Sequence, residues 1–314
     1  MPTARRGPSA TLVRRGGERL LIDCGEGTQR QLLRSDLGLI DLQEIFLTHF
    51  HADHFLGLPG MLKTFALRGR DVPITIYGPR GLTDLFSALR RIFGKLTYPY
   101  ELVELQAGDV LDRGAYRIVT FNVVHGVPAL GYALVEEPRP GRFDVSAADA
   151  LGVPHGPERG RLQSGEAIAL DDGTVVTPAQ VLGAPRAGRK VLVTGDTAPS
   201  LGYLDLADGA ELLVHEATFC DDERERAQET SHSTAREAAQ VAAAAGVKLL
   251  ALTHLSSRYF GPEVLREARE TFPETVVPRD FDVIEIPFPE RGAPALVKGG
   301  AMQGSPEAVS SEPR

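Results

Sequence analysis

Four residues of metal-binding type stand within six positions at the end of one apolar run. They are His49, His51, Asp53 and His54 in Thr48-His-Phe-His-Ala-Asp-His54, directly after Glu44-Ile-Phe-Leu47. Packing does not account for such a cluster, because buried polar groups without partners are costly. Imidazole suits zinc, and a carboxylate can bridge two cations. A strand that ends in H-x-H-x-D-H therefore reads as half of a dinuclear metal site. Asp196, far away in Thr194-Gly-Asp-Thr197, is the candidate bridge. A site of this kind activates water for hydrolysis.

The bulk properties narrow the partners. With 314 residues there is room for one large domain or two small ones. No apolar run approaches the roughly 20 residues needed to cross a bilayer, so no membrane partner is expected. The start, Met-Pro-Thr-Ala-Arg-Arg, lacks the apolar core of a secretory signal. Cys24 and Cys220 are the only cysteines, which indicates no disulfide framework. Cytoplasmic location is the default expectation. A net charge of −8 argues against a general coat for nucleic acid, but it leaves room for a local basic patch or for metal ions that supply positive charge.

Short apolar runs alternate with turn signals. Strands are expected at Arg19–Asp23, Glu44–Thr48, Val72–Tyr77, Tyr116–Val124, Leu130–Glu136, Lys190–Thr194, Glu211–Val214 and Lys248–Leu252. Helices are expected from Thr28 to Leu33, from Met61 to Leu67 after a turn at Gly57-Leu-Pro-Gly60, and from Leu82 to Phe93. Thr234-Ala-Arg-Glu237 has capping-box spacing and opens an Ala-rich helix that Gly246 closes. Residues 138–189 break the pattern with dense glycine and proline, and read either as a loop-rich insertion or as a poorly ordered linker. Residues 300–314 have the composition of a disordered tail, which leaves 1–299 as the folded unit.

Seven of the eight histidines lie in compact polar motifs at strand ends. Only His155 falls in the insertion, where a solvated loop residue is the better explanation. Chemistry suggests a division of labour. One metal would take His49, His51 and a third imidazole, for which His125 is the candidate. A second would take Asp53, His54 and His254, with Asp196 between the two. His232 and Glu216 remain without a ligand role. A leaving alkoxide needs a proton, and histidine is the usual donor. Glu216 could orient or charge that imidazole, or serve only as a cap or support.

These residues and their neighbours resemble the metallo-β-lactamase superfamily and, in finer detail, the zinc tRNA 3′-endonucleases of the ribonuclease Z family. The matching pieces are Asp23-Cys-Gly-Glu-Gly-Thr-Gln29, Gly57-Leu-Pro-Gly60, His125-Gly-Val127, Gly195-Asp-Thr197, His215-Glu-Ala-Thr218, His232-Ser-Thr234, Leu252-Thr-His254 and Ser256-Ser-Arg-Tyr259. The first metal motif alone indicates only the superfamily, whereas the pieces His215-Glu-Ala-Thr218, His232-Ser-Thr234 and Ser256-Ser-Arg-Tyr259 together are far more specific. The resemblance implies an α+β fold, a four-layer αβ/βα sandwich with a protruding arm. It implies two zinc ions per subunit, held by His49, His51, Asp53, His54, His125, Asp196 and His254. Asp53 would also position or deprotonate the nucleophilic water, and His232, assisted by Glu216, would donate the proton. The implied substrate is precursor tRNA, and the implied assembly is a homodimer in which one subunit grips the tRNA elbow while the other cuts. The 138–189 insertion lies where the gripping arm belongs. Gly156, Pro157, Arg159 and Arg161 are its candidate tRNA contacts, with Ser256 and Arg258 beside the site.

The sequence departs from the family pattern in three places. The strand that usually precedes the segment matching Pro2-Thr-Ala-Arg is missing, which implies a misassigned start or a truncation and an exposed sheet edge. The P-x-K-x-R-N stretch of many members is replaced by Leu37-Gly-Leu-Ile-Asp-Leu42, and that stretch governs where cleavage falls relative to CCA. Phe50 and Ala52 occupy the x positions, where leucine and glycine are commoner. Two other functions compete. A small phosphodiesterase or thioester hydrolase would keep the fold but need no long insertion, and would survive deletion of residues 140–185. A metal-free binding module predicts broken ligand sets, and none is broken here.

Overall fold

Alternation along short strands lets each sheet serve two cores. In the computed structural model, which describes residues 3, 6–39 and 42–299, the first sheet contains β1 (Thr11–Arg15), β2 (Glu18–Ile22), β3 (Glu44–Phe46), β4 (Ile74–Pro79) and β5 (Tyr100–Leu105), in that order. β1 pairs antiparallel with β2, and the rest run parallel. The second sheet contains β6 (Val110–Asp112), β7 (Tyr116–Asn122) and β8 (Leu130–Glu136). The hairpin β9 (Ile168–Ala169) and β10 (Val175–Val176) stands apart. β11 (Lys190–Val193), β12 (Leu212–Glu216), β13 (Leu250–Thr253) and β14 (Thr275–Val276) complete the second sheet, ordered β14-β13-β12-β11-β8-β7-β6.

Phe46 faces a core between the sheets with Tyr77, Tyr132, Val193 and Val214. Its neighbours Ile45 and Leu47 face the opposite way, under the helices Gly57–Leu67 and Leu82–Phe93 through Leu58, Leu62, Phe86 and Leu89. On the far side, Leu192, Leu213 and Leu252 meet Ala235, Ala238 and Ala242 of the helix Ala235–Ala244. The order helix, sheet, sheet, helix is the expected four-layer sandwich, with strand side chains alternating between the two cores, so that central strands such as β12 are buried throughout. The capping box forms as expected: Glu237 N–H donates to Thr234 Oγ1 at 3.2 Å, and Thr234 N–H donates to Glu237 Oε2 at 3.0 Å.

Two expectations need correction. Gly57-Leu-Pro-Gly60 is not a turn before a helix but the helix's first turn. Pro59 is tolerated there because the first N–H groups of a helix have no intrahelical acceptor. Gly57 is needed for close approach: a Cβ there would lie 2.1 Å from Gly25 O. The insertion, for its part, is no linker. The helices Val145–Ala150, Pro157–Gln163 and Pro178–Val181 pack with β9 and β10 around Ala148, Val153, Leu162, Ile168, Val176 and Val181. Its elements are four to seven residues long or shorter, too brief to leave a periodicity in the sequence. The tail at 300–314 lies outside the described residues. Among the described residues, no helix is long and apolar enough to cross a membrane.

Candidate metal centre

β7 is antiparallel to β8, and β8 is antiparallel to β11. β7 therefore runs with β11, β12 and β13, and the C-terminal ends of all four share one edge. Ligand sites in α/β sheets favour that edge. His125 follows β7, Asp196 follows β11, Glu216 ends β12 and His254 follows β13. β3 delivers His49 to His54 from the other sheet. The sheets are pinched together here: Leu130 N–H donates to Thr48 O at 2.9 Å, and a Cβ on Gly195 would lie 2.7 Å from Thr48 Cβ. Gly195 also has φ +66°, so both space and backbone demand glycine beside Asp196.

Asp196 sits at the centre. Its Oδ2 lies 3.8 Å from His49 Nε2, 3.3 Å from His54 Nε2 and 3.4 Å from His254 Nε2. His254 Nε2 is also 3.2 Å from Asp53 Oδ2. His51 Nδ1 and His125 Nε2 approach to 3.1 Å. His49, His51, His125 and Asp196 offer ligand atoms within 4.8 Å of one another, and so do Asp53, His54 and His254. The residues assigned from the sequence to each metal thus stand together in the fold, with Asp196 beside the first group. A third group at the same spacing, Asp196, His232 and His254, brings His232 to the rim of the cluster.

The buried polar atoms test whether metal fits. Among the described residues, His49 Nε2, His54 Nε2 and Asp196 Oδ1 are buried with no hydrogen-bond partner, and all three belong to this one cluster. Orphaned groups of this sort are rare in native proteins and call for an explanation. Cations supply one, since imidazole nitrogens and carboxylate oxygens are their ligands. Burial, together with the neighbouring His54, pushes the His49 imidazole down to about 2, keeping it neutral as a ligand must be. Burial also opposes charge on His54, but the Asp23 and Asp196 carboxylates outweigh it and push that ring up to about 11. His54 Nε2 thus needs a positive partner, a proton or a metal. The hydrogen bond from His254 outweighs burial and holds the Asp53 carboxyl well below the usual range.

A set of supports surrounds the ligands. Asp23, at φ 61°, accepts from His54 Nδ1 at 2.7 Å, from Thr48 N–H at 2.9 Å and from the Ser9 hydroxyl at 3.1 Å. This fixes the His54 tautomer so that Nε2 faces the cluster. His125 Nδ1 donates to Ser231 O at 3.1 Å, and Ser233 Oγ donates to Thr197 O at 2.7 Å. The loop that carries His232 is therefore tied both to the His125 ring and to the residue after Asp196. His232 Nδ1 donates to Glu216 Oε1 at 2.7 Å. Burial lowers the His232 pKa, but Glu216 more than compensates and raises it. Ser231 and His254 also hold left-handed backbones, φ 57° and 54°. Such conformations persist only where surrounding contacts hold them, and they collect at functional sites.

The remaining residues singled out from the sequence lie elsewhere. Ser256 is buried: its N–H donates to Thr218 O at 3.1 Å, and its Oγ accepts from Arg258 N–H at 3.4 Å. Arg258 Nη1 pairs with Glu223 at 2.9 Å. In the insertion, Gly156 adopts φ 141° and Pro157 opens a helix. Arg159 is mostly buried against Asp149, Val153 O and Pro154 O. Arg161 is half exposed and paired with Glu166. His155 is exposed, as expected. Sequence reasoning missed Asp23, Thr48, Thr197 and Thr218 as supports. Their signal was position, each standing at a strand end within or beside a matched motif.

Comparison with known proteins agrees with the geometry. The family described as the metallo-beta-lactamase superfamily matches residues 3–135. The ribonuclease Z of Gemmatimonas aurantiaca is 48% identical over 294 residues, covering 92% of this chain and 93% of that protein. The ribonuclease Z of Methanosarcina acetivorans is 44% identical over 293 residues, covering 92% and 95%. The crystal structure of the short form of human tRNase Z superposes with a TM-score of 0.65 at 30% identity, covering 91% of this chain and 95% of that one. The His/Asp cluster and the superfamily together mark a metal-using protein. The chain belongs to the ribonuclease Z family, built on the metallo-β-lactamase fold.

Proposed function

We propose that this chain is a zinc-dependent endoribonuclease that removes the 3′ trailer from precursor tRNA and leaves a 3′-hydroxyl. The observation that carries the reading is the convergence of seven candidate ligand residues from four motifs on one cluster that contains three buried polar atoms without a hydrogen-bond partner among the described residues. Kinship with the ribonuclease Z proteins supports the substrate. His49, His51 and His125 would hold one zinc ion, Asp53, His54 and His254 a second, and Asp196 would bridge them. When bound, such a pair of cations would acidify water and stabilise the charge that develops in phosphoryl transfer.

The chain's own groups do the rest. Asp53 is partly exposed and engages His254 through Oδ2, so it can also orient the attacking water. The P–O3′ bond breaks, and the departing oxygen takes a proton from His232. Nδ1 of that ring is committed to Glu216, so Nε2 is the donating atom. Arg258 and Ser256, which follow His254 closely in the chain, would contact phosphate, with Arg258 exchanging Glu223 for it. The 138–189 arm, with Gly156, Pro157, Arg159 and Arg161, grips the tRNA elbow from the other subunit of a homodimer, and the enzyme works in the cytoplasm. Of the two arm arginines, Arg161 is the better phosphate contact, because Arg159 is taken up inside the arm.

Cleavage of a 3′-extended precursor tRNA by the zinc-loaded protein, with the new end mapped to the nucleotide, tests this. A single cut at the discriminator or just after CCA is expected. No cut, with a small phosphodiester still hydrolysed, would keep the metal centre and discard the tRNA substrate.

A further inference from the structure

We infer that the Thr218 hydroxyl is a positioning group that joins the ligand His254 to the Glu216–His232 pair, so that one buried carboxylate supports both the metal shell and the proton donor. The inference rests on the metal assignment proposed above. Its basis is the direction of each hydrogen bond. His254 Nε2 faces Asp53 and Asp196. With a cation there taking the Nε2 lone pair, as proposed above, the ring proton is on Nδ1, which donates to Thr218 Oγ1 at 2.8 Å. A hydroxyl has one hydrogen to give, and this one goes to Glu216 Oε2 at 2.7 Å.

Glu216 is fully buried and accepts four hydrogen bonds: from His232 Nδ1 at 2.7 Å, Thr197 N–H at 2.9 Å, Thr218 N–H at 3.1 Å and the Thr218 hydroxyl. A carboxylate has about four such acceptor positions. All are filled, and two of the four partners lead straight to functional imidazoles. Thr218 also holds the loop that carries His254, since its carbonyl accepts from Ser256 N–H at 3.1 Å. The left-handed backbone at His254 needs such contacts to persist. Without the hydroxyl, His254 Nδ1–H loses its acceptor, and Glu216 loses one of its donors. Partners of this kind fix the orientation and basicity of a ligand ring, and their loss typically costs about 10–100-fold in metal affinity or activity.

The test measures zinc affinity of the full chain by competition with a chromophoric chelator, alongside kcat and KM on precursor tRNA. Thr218→Val should bind zinc about 10–100-fold more weakly and lose kcat with KM unchanged. Thr218→Ser should restore both. In a Glu216→Gln background the valine substitution should have a smaller effect on zinc affinity, because the two side chains act as one unit. Thermal unfolding in excess chelator establishes that each variant folds, and Thr218→Ala takes the place of valine if valine does not fold. Wild-type zinc affinity in the folded valine or alanine variant would overturn the inference. So would a serine variant as impaired as valine, since packing of the methyl group would then be the cause. A wild-type chain that binds no zinc would instead remove the metal reading itself.

Discussion

The strand-end cluster and residues 143–182, the small packed core within the 138–189 insertion, handle polar groups in opposite ways. In the arm, charge is settled locally: Arg159 pairs with Asp149, Arg161 with Glu166, and the Asp144 side chain caps the first helix by accepting from Ala147 N–H. At the candidate metal centre, His49 Nε2, His54 Nε2 and Asp196 Oδ1 are buried with no hydrogen-bond partner among the described residues. Three backbones there, at Asp23, Ser231 and His254, are left-handed without being glycine. A region that satisfies itself is built to hold a shape, and a region that leaves buried groups unsatisfied is built around something that arrives later. The contrast therefore predicts where substitution destroys chemistry and where it only loosens structure.

The sharpest way to break the comparison is Asp196→Ala. Asp196 serves three imidazoles, so its loss should abolish cleavage and release metal, measured as zinc content after dialysis together with turnover. A variant that stays metal-loaded and active would show that the unpartnered atoms have another purpose. His232→Ala should come next, lowering kcat about 10²–10⁴-fold, the usual worth of a general acid, while zinc content stays intact. Zinc loss in that variant would move His232 into the ligand shell, a place its spacing to Asp196 and His254 also permits.

On the arm side, Leu162 is fully buried in the small core. Leu162→Ala should cost about 2–5 kcal/mol, confined to the arm. Hydrogen exchange would show faster opening of 143–182 with the sandwich unchanged, and a small phosphodiester would be hydrolysed as before. Equal loss of protection in both regions would mean that they fold as one unit. The arm's base is fixed by Glu136, which accepts from Arg189 at 2.7 and 2.8 Å and from Arg15 at 2.9 Å. Burial opposes charge on Glu136, but these arginines hold it down to about 2. An unfolded glutamate titrates near 4.3. The contribution is thus complete above about pH 5 and disappears as pH falls toward 2. Glu136→Gln should lose about 1.5–3 kcal/mol at neutral pH, and denaturant titrations should show less of that difference as pH falls through 4. A difference independent of pH would point to packing rather than charge.

Most of this contrast was readable in the sequence on one side only. The cluster of His49 to His54, His125, Asp196 and His254 was legible as a candidate ligand set because these residue types are rare together and each follows an apolar strand. The sandwich was legible from those same strands. β1 and β5 went unread because edge strands are half-buried and alternate weakly. The supports were harder for a physical reason. Thr218 and Asp23 act through hydrogen bonds to residues 36 and 31 positions away, and no local pattern encodes a partner at that distance. The first turn of Gly57–Leu67 was misread because glycine and proline mark turns in general, whereas Gly57 is there to let Gly25 pass at close range. The arm was legible only as an interruption, since each of its elements is shorter than the window in which periodicity shows.

The smallest effect concerns the two arm arginines, and it divides the arm within itself. Arg159 is largely buried and reaches two backbone carbonyls as well as Asp149. Arg161 is half exposed, and an exposed pair such as Arg161–Glu166 is worth only about 0–1 kcal/mol. Arg161 can therefore exchange its carboxylate for a phosphate at little cost, whereas Arg159 cannot leave without opening the arm. Arg161→Ala should leave arm protection unchanged and reduce the slope of log affinity for precursor tRNA against log salt by about 1. Arg159→Ala should do the reverse, speeding exchange in the arm with the salt slope preserved once the arm is folded. If both variants left the slope untouched, the grip on tRNA would belong to other cations, and the arm's internal ion pairs would be structural throughout.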